Sequence, residues 1–168
     1  MKRMTIGGKE YSIEFSIEAS LYGECVTKIF DMFMGIAAVR GQADALEKAN
    51  TNDVDSLKDL MKGAVMSMTD IPQTALTLFY AGLLEHHGTE EGDGSVASLQ
   101  DAKHLIKEYM FENSGANWYD LMNLMVEQIG ADNFFERIGL DKMLKQTEEK
   151  SENNPKPRLV RSTQAGAN

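Results

Sequence analysis

Apolar and polar positions alternate near the start of the chain and then fall into a helical period. Residues 5–15 read TIGGKEYSIEF. Ile6, Tyr11, Ile13 and Phe15 favour strands, and alternation places Tyr11, Ile13 and Phe15 on one face with Ser12 and Glu14 on the other. Gly7-Gly8 supplies the positive φ angles of a two-residue hairpin turn. The pattern predicts a small β-hairpin, which must lie against helices because two strands alone are marginally stable in water.

From Ser16, a plausible N-cap, the apolar spacing becomes i, i+3, i+4. Ile17, Leu21, Cys25, Ile29, Met32, Phe33 and Ile36 form the stripe of a long helix running to about Val39, which Gly41 ends. Residues 42–52 are polar and helix-tolerant, either a loop or a helical extension. Asn52 or Asp53 can cap a further helix to about Met68. Asp70-Ile71-Pro72 opens another to about His87, since proline is tolerated in a first turn. Residues 88–94 (GTEEGDG) form an acidic, turn-rich segment, most simply a solvated loop.

Ser98-Leu99-Gln100-Asp101 matches a capping box ahead of the stripe Leu105, Ile106, Tyr109 and Met110, predicting a helix over 99–113. Ser114-Gly115 breaks it, and Asn117 caps a helix over 118–129. Gly130 with Asp132 then separates a final helix whose pattern weakens beyond Leu144. From Gln146 the chain is polar, with Pro155 and Pro157 and little aliphatic surface, the composition of a disordered tail. The expected fold is mainly α: a small N-terminal β-hairpin packed on a compact bundle of about five to six helices over 1–145, with a flexible tail over 146–168.

Residues 29–39 (IFDMFMGIAAV) are apolar on all faces: Phe30, Met34 and Ala37 point away from the stripe of Ile29, Met32, Phe33 and Ile36. A helix apolar all round is covered on all sides, either by its own chain or by a subunit or client. Spanning a bilayer takes roughly 20 apolar residues, so this shorter stretch containing Asp31 belongs to a core or an interface. Trp118, with Tyr119, Leu121, Met122 and Met125, offers a second patch of the aromatic and methionine kind enriched at interfaces. Phe30, Phe33, Met34, Ile36, Trp118, Met122 and Met125 are therefore the candidate protein-binding residues. The 11 methionines suit either core filling or adaptable partner surfaces.

Composition narrows the function classes. The 168 residues fit one domain plus a tail, and 26 acidic against 17 basic residues give a net charge of −9, which repels nucleic acid and anionic membranes. Cys25 is the single cysteine, which excludes an intramolecular disulfide, and the N-terminus lacks a signal-peptide pattern. A reducing cytoplasm is the expected setting.

Catalytic patterns are missing. Neither a Walker loop nor a dinucleotide fingerprint follows any strand, and the sequence has no HExxH and no paired CxxC. His86 and His87 end a helix, where imidazolium suits the last carbonyls, and His104 stands one turn from Glu108 on a solvated face. Cys25 falls on an apolar stripe as a buried, inert thiol. The acids of 88–94 lack the alternating ligands of a calcium loop. The expectation is a non-enzyme with no metal and no cofactor.

Three stretches carry a family resemblance: IGGKEYSIEFSIEA at 6–19, PQTALTLFYAGLLEHHG at 72–88 and SLQDAKHLIKEYM at 98–110. In this order the chain resembles the tail assembly chaperones of long-tailed (siphovirus-type) phages and prophages of Gram-positive bacteria. The resemblance covers most of residues 4–145 and rests chiefly on Ile6-Gly7-Gly8-Lys9-Glu10-Tyr11 and Tyr80-Ala81-Gly82-Leu83. The acidic segment 88–94 and the tail 155–168 have no counterpart in the family pattern.

The resemblance implies a helical protein that binds the tape measure protein, keeps it soluble and delivers it for tail-tube assembly. It implies action in the bacterial host cytoplasm, absence from the mature virion, homo-oligomer formation, and as further partners a frameshift-extended form of itself and the major tail protein. The alternative is a structural tail or head-tail connector subunit retained in the virion.

Overall fold

Gly7 and Gly8 both take left-handed φ angles, 59° and 74°. Their lack of a Cβ is what lets the chain reverse in two residues and match the strand twist. The strands they join, β1 (Lys2–Ile6) and β2 (Lys9–Ile13), are antiparallel, with Met4 opposite Tyr11 and Ile6 opposite Lys9. Met4, Ile6, Tyr11 and Ile13 are buried on one face. The other face carries the exposed Arg3–Glu10 pair at 3.4 Å, an arrangement that adds little stability in water.

The computed structural model describes residues 1–40, 70–140 and 142, with side chains described through Met32 in the first stretch. The expectations for segment 42–52, for the helix to Met68 and for the tail 146–168 lie outside the described residues. Among the described residues the chain is mainly helical: the hairpin is followed by α1 (Ile17–Leu21), α2 (Gly23–Arg40), α3 (Ile71–His87), α4 (Leu99–Glu112), α5 (Trp118–Ala131) and α6 (Phe134–Arg137).

The caps form where the sequence places them. Ser16 Oγ accepts from the Glu18 N–H at 3.2 Å, Ser98 Oγ from the Asp101 N–H at 3.2 Å, and Asn117 Oδ1 from the Asp120 N–H at 3.0 Å. Each satisfies a donor that a helix's first turn leaves unpaired. Pro72 sits in the first turn of α3, as expected, although the Asp70 side chain makes no cap bond there.

One expected helix is divided. Tyr22 leaves helical geometry at φ −77°, ψ 93°, and Gly23 begins α2 in a new direction. The Tyr22 ring packs edge-on against Tyr80 of α3, with centroids 5.4 Å apart at 86°, and its hydroxyl donates to Glu24 Oε2 at 2.8 Å. The apolar stripe is divided with it. Cys25, Ile29 and Met32 are buried, whereas Ile17 and Leu21 are 60% and 73% exposed.

α3 is the helix enclosed by its neighbours: it packs against β2, α1, α2, α4 and α5. Ala75, Leu78, Phe79, Ala81 and Leu83 are fully buried, so its apolar residues face several partners at once. Gly82 is where the backbone leaving β2 passes closest. Glu14 N–H donates to Gly82 O at 2.8 Å, and a Cβ at Gly82 would stand 2.6 Å from Ile13 Cγ2.

The final elements also differ from expectation. Gly130 is helical and buried inside α5, which runs on to Ala131, and α6 is only four residues long. Gly139, at φ 74°, interrupts this region after α6, and Leu140 and Lys142 beyond it are helical again. The Asp132 carboxylate joins it to the hairpin: Oδ2 accepts the Phe15 N–H at 2.8 Å and Oδ1 the Met1 ammonium at 2.9 Å. Phe15 and Phe134 pack alongside with ring centroids 5.5 Å apart.

Candidate functional site

The described residues singled out for partner binding fall in two different environments. Phe30 is half-buried and packs on the core from α2, as does Trp118 from the first turn of α5. The side chains of Phe33, Met34 and Ile36 lie outside the described residues. Met122 and Met125 are 0% exposed, which corrects their placement in a surface patch. With Leu121, Val126 and Ile129 they form the stripe by which α5 packs on α3, and helical spacing makes that stripe core.

Large apolar side chains stand in solvent elsewhere. Phe111 is 91% exposed, and Ile17 and Leu21 of α1 are the next most exposed of those within helices. Phe111 belongs to the face of α4 otherwise made by His104, Lys107 and Glu108, all exposed. Its phase against Leu105, Ile106, Tyr109 and Met110 was a usable signal in the sequence. Ile17 and Leu21 share the apolar period of Cys25, Ile29 and Met32, but they lie before the turn at Tyr22 and are exposed.

The acidic segment after α3 is hydrogen-bonded back onto the helix end, with Glu90, Glu91 and Asp93 exposed as a solvated loop requires. Asp93 N–H donates to His86 O at 2.9 Å, Gly94 N–H to Gly88 O at 3.0 Å and Val96 N–H to His87 O at 2.8 Å. Gly92 lies so close to the helix end that a Cβ there would be 2.4 Å from the His87 backbone nitrogen. The side chain of His87, the last residue of α3, is also buried.

His87 Nε2 accepts the Ser12 N–H at 2.9 Å, so this nitrogen carries no proton and the ring hydrogen is on Nδ1. Nδ1 faces Asp93 Oδ1 and Ser95 Oγ, each at 3.3 Å. The Tyr11 ring packs on the imidazole with centroids 5.1 Å apart. Hydrogen bonds from the Ser95 hydroxyl and N–H, then from His87, hold the Asp93 carboxyl well below the usual carboxylate range.

Histidine, aspartate and serine meet here, yet they do not form a nucleophile–base–orienter chain. Asp93 and Ser95 both address Nδ1, and Nε2 is occupied by a backbone amide, which leaves no ring nitrogen to take a proton from the serine. The chemistry of this cluster is structural: it ties β2 to the end of α3. A neighbouring pair, His86 Nε2 and Glu14 Oε2 at 2.9 Å, supports the same junction.

Comparison with family models, curated proteins and solved structures finds no match to the chain. Among the described residues no three His, Cys, Asp or Glu side chains converge to hold a metal, and no helix is long and apolar enough to cross a membrane. Cys25 is fully buried, and burial pushes its thiol up to about 12. Carboxylates gather beside α1. Glu18 is held above the usual range, first by desolvation and then by repulsion from Glu90, Glu91 and Glu85.

Proposed function

We propose that this chain is a phage tail assembly chaperone that binds the tape measure protein, keeps it soluble and delivers it for tail-tube assembly. The observation that carries this reading is the exposure of Phe111, Leu21 and Ile17 on a folded body of net charge −9. A holding protein needs apolar surface for its client and enough charge to keep the complex dissolved. The family resemblance in the hairpin and in α3 and α4 supplies the identity of the client. The same reading includes self-association, action in the host cytoplasm, and no catalytic activity.

The test is co-expression with a tape measure protein. Co-purification is expected, and charge substitutions at Phe111, or at Phe30 and Met34, should abolish it while helicity by circular dichroism is unchanged. Failure of the unaltered chain to co-purify overturns the proposal. Mass spectrometry of purified particles should find the chain missing, whereas its presence there assigns it to a structural subunit.

A further inference from the structure

α1 has only five residues, but Ile17 and Leu21 lie one turn apart and share a face. Both are mostly exposed, while Ala19 of the same helix is buried against the body. The helix therefore has an inner face that anchors it and an outer face that the described fold does not cover. Glu18 lies between the two aliphatic residues in sequence, Glu85 comes from α3, and Glu90 and Glu91 come from the segment folded over the end of α3. All three are near enough to repel Glu18. His86, next to the end of α3, is engaged by Glu14 at 2.9 Å.

An aliphatic pair edged by several carboxylates has a definite complement. We infer that the outer face of α1 docks a basic, amphipathic segment of a partner protein. Aliphatic side chains of that segment seat on Ile17 and Leu21, and its Lys or Arg side chains reach Glu18, Glu85, Glu90 and Glu91. Charge decides between partner classes. Carboxylates that repel one another gain from an incoming cation and lose further from a nucleic acid or an anionic membrane. An apolar anchor inside a charged rim is also how helix-in-surface recognition divides affinity from orientation. The inference deepens the chaperone reading, and rests on it only in taking the partner to be a client polypeptide.

The experiment uses the full chain and a fluorescent synthetic peptide of about four helical turns, ~14 residues, with leucines at i, i+3, i+4 and lysines elsewhere. Fluorescence anisotropy should show saturable binding. Raising salt from about 0.1 M to 1 M, which shortens the screening length from ~10 Å to ~3 Å, should weaken it. Ile17→Ser with Leu21→Ser removes the anchors without changing charge, and Glu18→Gln with Glu90→Gln and Glu91→Gln removes the rim. Each set should weaken binding by about tenfold or more, with circular dichroism unchanged because the residues are outside the core. His104→Gln, on the exposed face of α4, should bind as the unaltered chain does.

Absence of binding by the unaltered chain, or binding by both variant sets as tight as that of the unaltered chain, overturns the site. Two other occupants give distinct results. Tighter peptide binding after removal of residues 147–168, which contain the basic run KPRLVR, assigns the face to the chain's own C-terminal segment and overturns the partner assignment. A dimer in analytical ultracentrifugation that Ile17→Ser with Leu21→Ser turns to monomer assigns it to a second copy, with the same consequence. Loss of the peptide site with tape measure co-purification intact leaves the chaperone reading standing. The converse result removes that reading and keeps the site.

Discussion

The backbone N–H of Ser12 donates to Nε2 of His87 across 2.9 Å, joining β2 to the last residue of α3. A strand on the hairpin's open side has amides with no strand partner, and here an imidazole supplies an acceptor. The same ring, through Nδ1, positions Asp93 and Ser95, so one side chain fastens the strand, the helix end and the segment that follows.

Replacing His87 by alanine should therefore lower stability by about 1–3 kcal/mol, the cost of leaving a partly buried amide unpaired. Glutamine, whose carbonyl oxygen can take the place of Nε2, should restore part of the loss. Urea denaturation of the two variants checks this, and an alanine variant as stable as the parent would show that the Ser12 bond contributes nothing.

Two carboxylates should give opposite pH signatures. Asp93 titrates below its ordinary value in the folded state, so its contribution is present above the ordinary aspartate range and is lost as pH falls through the depressed value. Asp93→Asn should reduce stability at neutral pH by about 0.5 kcal/mol or less, because the side chain is half exposed, and the difference should close in acid. Glu18 titrates above its ordinary value, so its contribution is present below the ordinary glutamate range and is lost as pH rises through the raised value. Glu18→Gln should raise the thermal midpoint at pH 7, with the gain vanishing below about pH 4. Melting curves across pH decide both, and parallel curves for parent and variant would refute the corresponding assignment.

At the crossing of β2 and α3, Gly82→Ala should destabilise by about 1–3 kcal/mol through overpacking against Ile13. Combining it with Ile13→Ala should cost less than the sum of the two single changes, since the methyl then enters the space that isoleucine vacated. A double-mutant cycle measures this coupling, and strict additivity would place the collision elsewhere.

Cys25 should resist thiol reagents until the protein unfolds, because burial both blocks access and disfavours the thiolate. Labelling with a chromogenic disulfide should be slow in buffer and fast in denaturant, and prompt labelling of the folded chain would contradict the packing of α2.

Local chemistry was legible in the sequence, and orientation between elements was not. Gly7-Gly8, Ser16, Ser98 and Asn117 do what turn and cap rules require, since each acts within a few residues of itself. Tyr22 lies within an unbroken apolar period, and it leaves helical geometry where its ring packs on Tyr80, distant in the chain. Composition likewise marks 88–94 as acidic without showing that His87 would gather it. For the candidate site, the methionines of α5 had the period of a core stripe and were buried accordingly. Phe111 stands out of phase among polar residues, and that misfit is what an exposed aromatic looks like in one dimension.

The turn at Tyr22 has an evolutionary corollary. By swinging Ile17 and Leu21 away from the interior, it frees two positions from any duty in holding the molecule together. Selection can rewrite them while the scaffold beneath keeps its sequence, so surface chemistry and foldability become traits that vary independently.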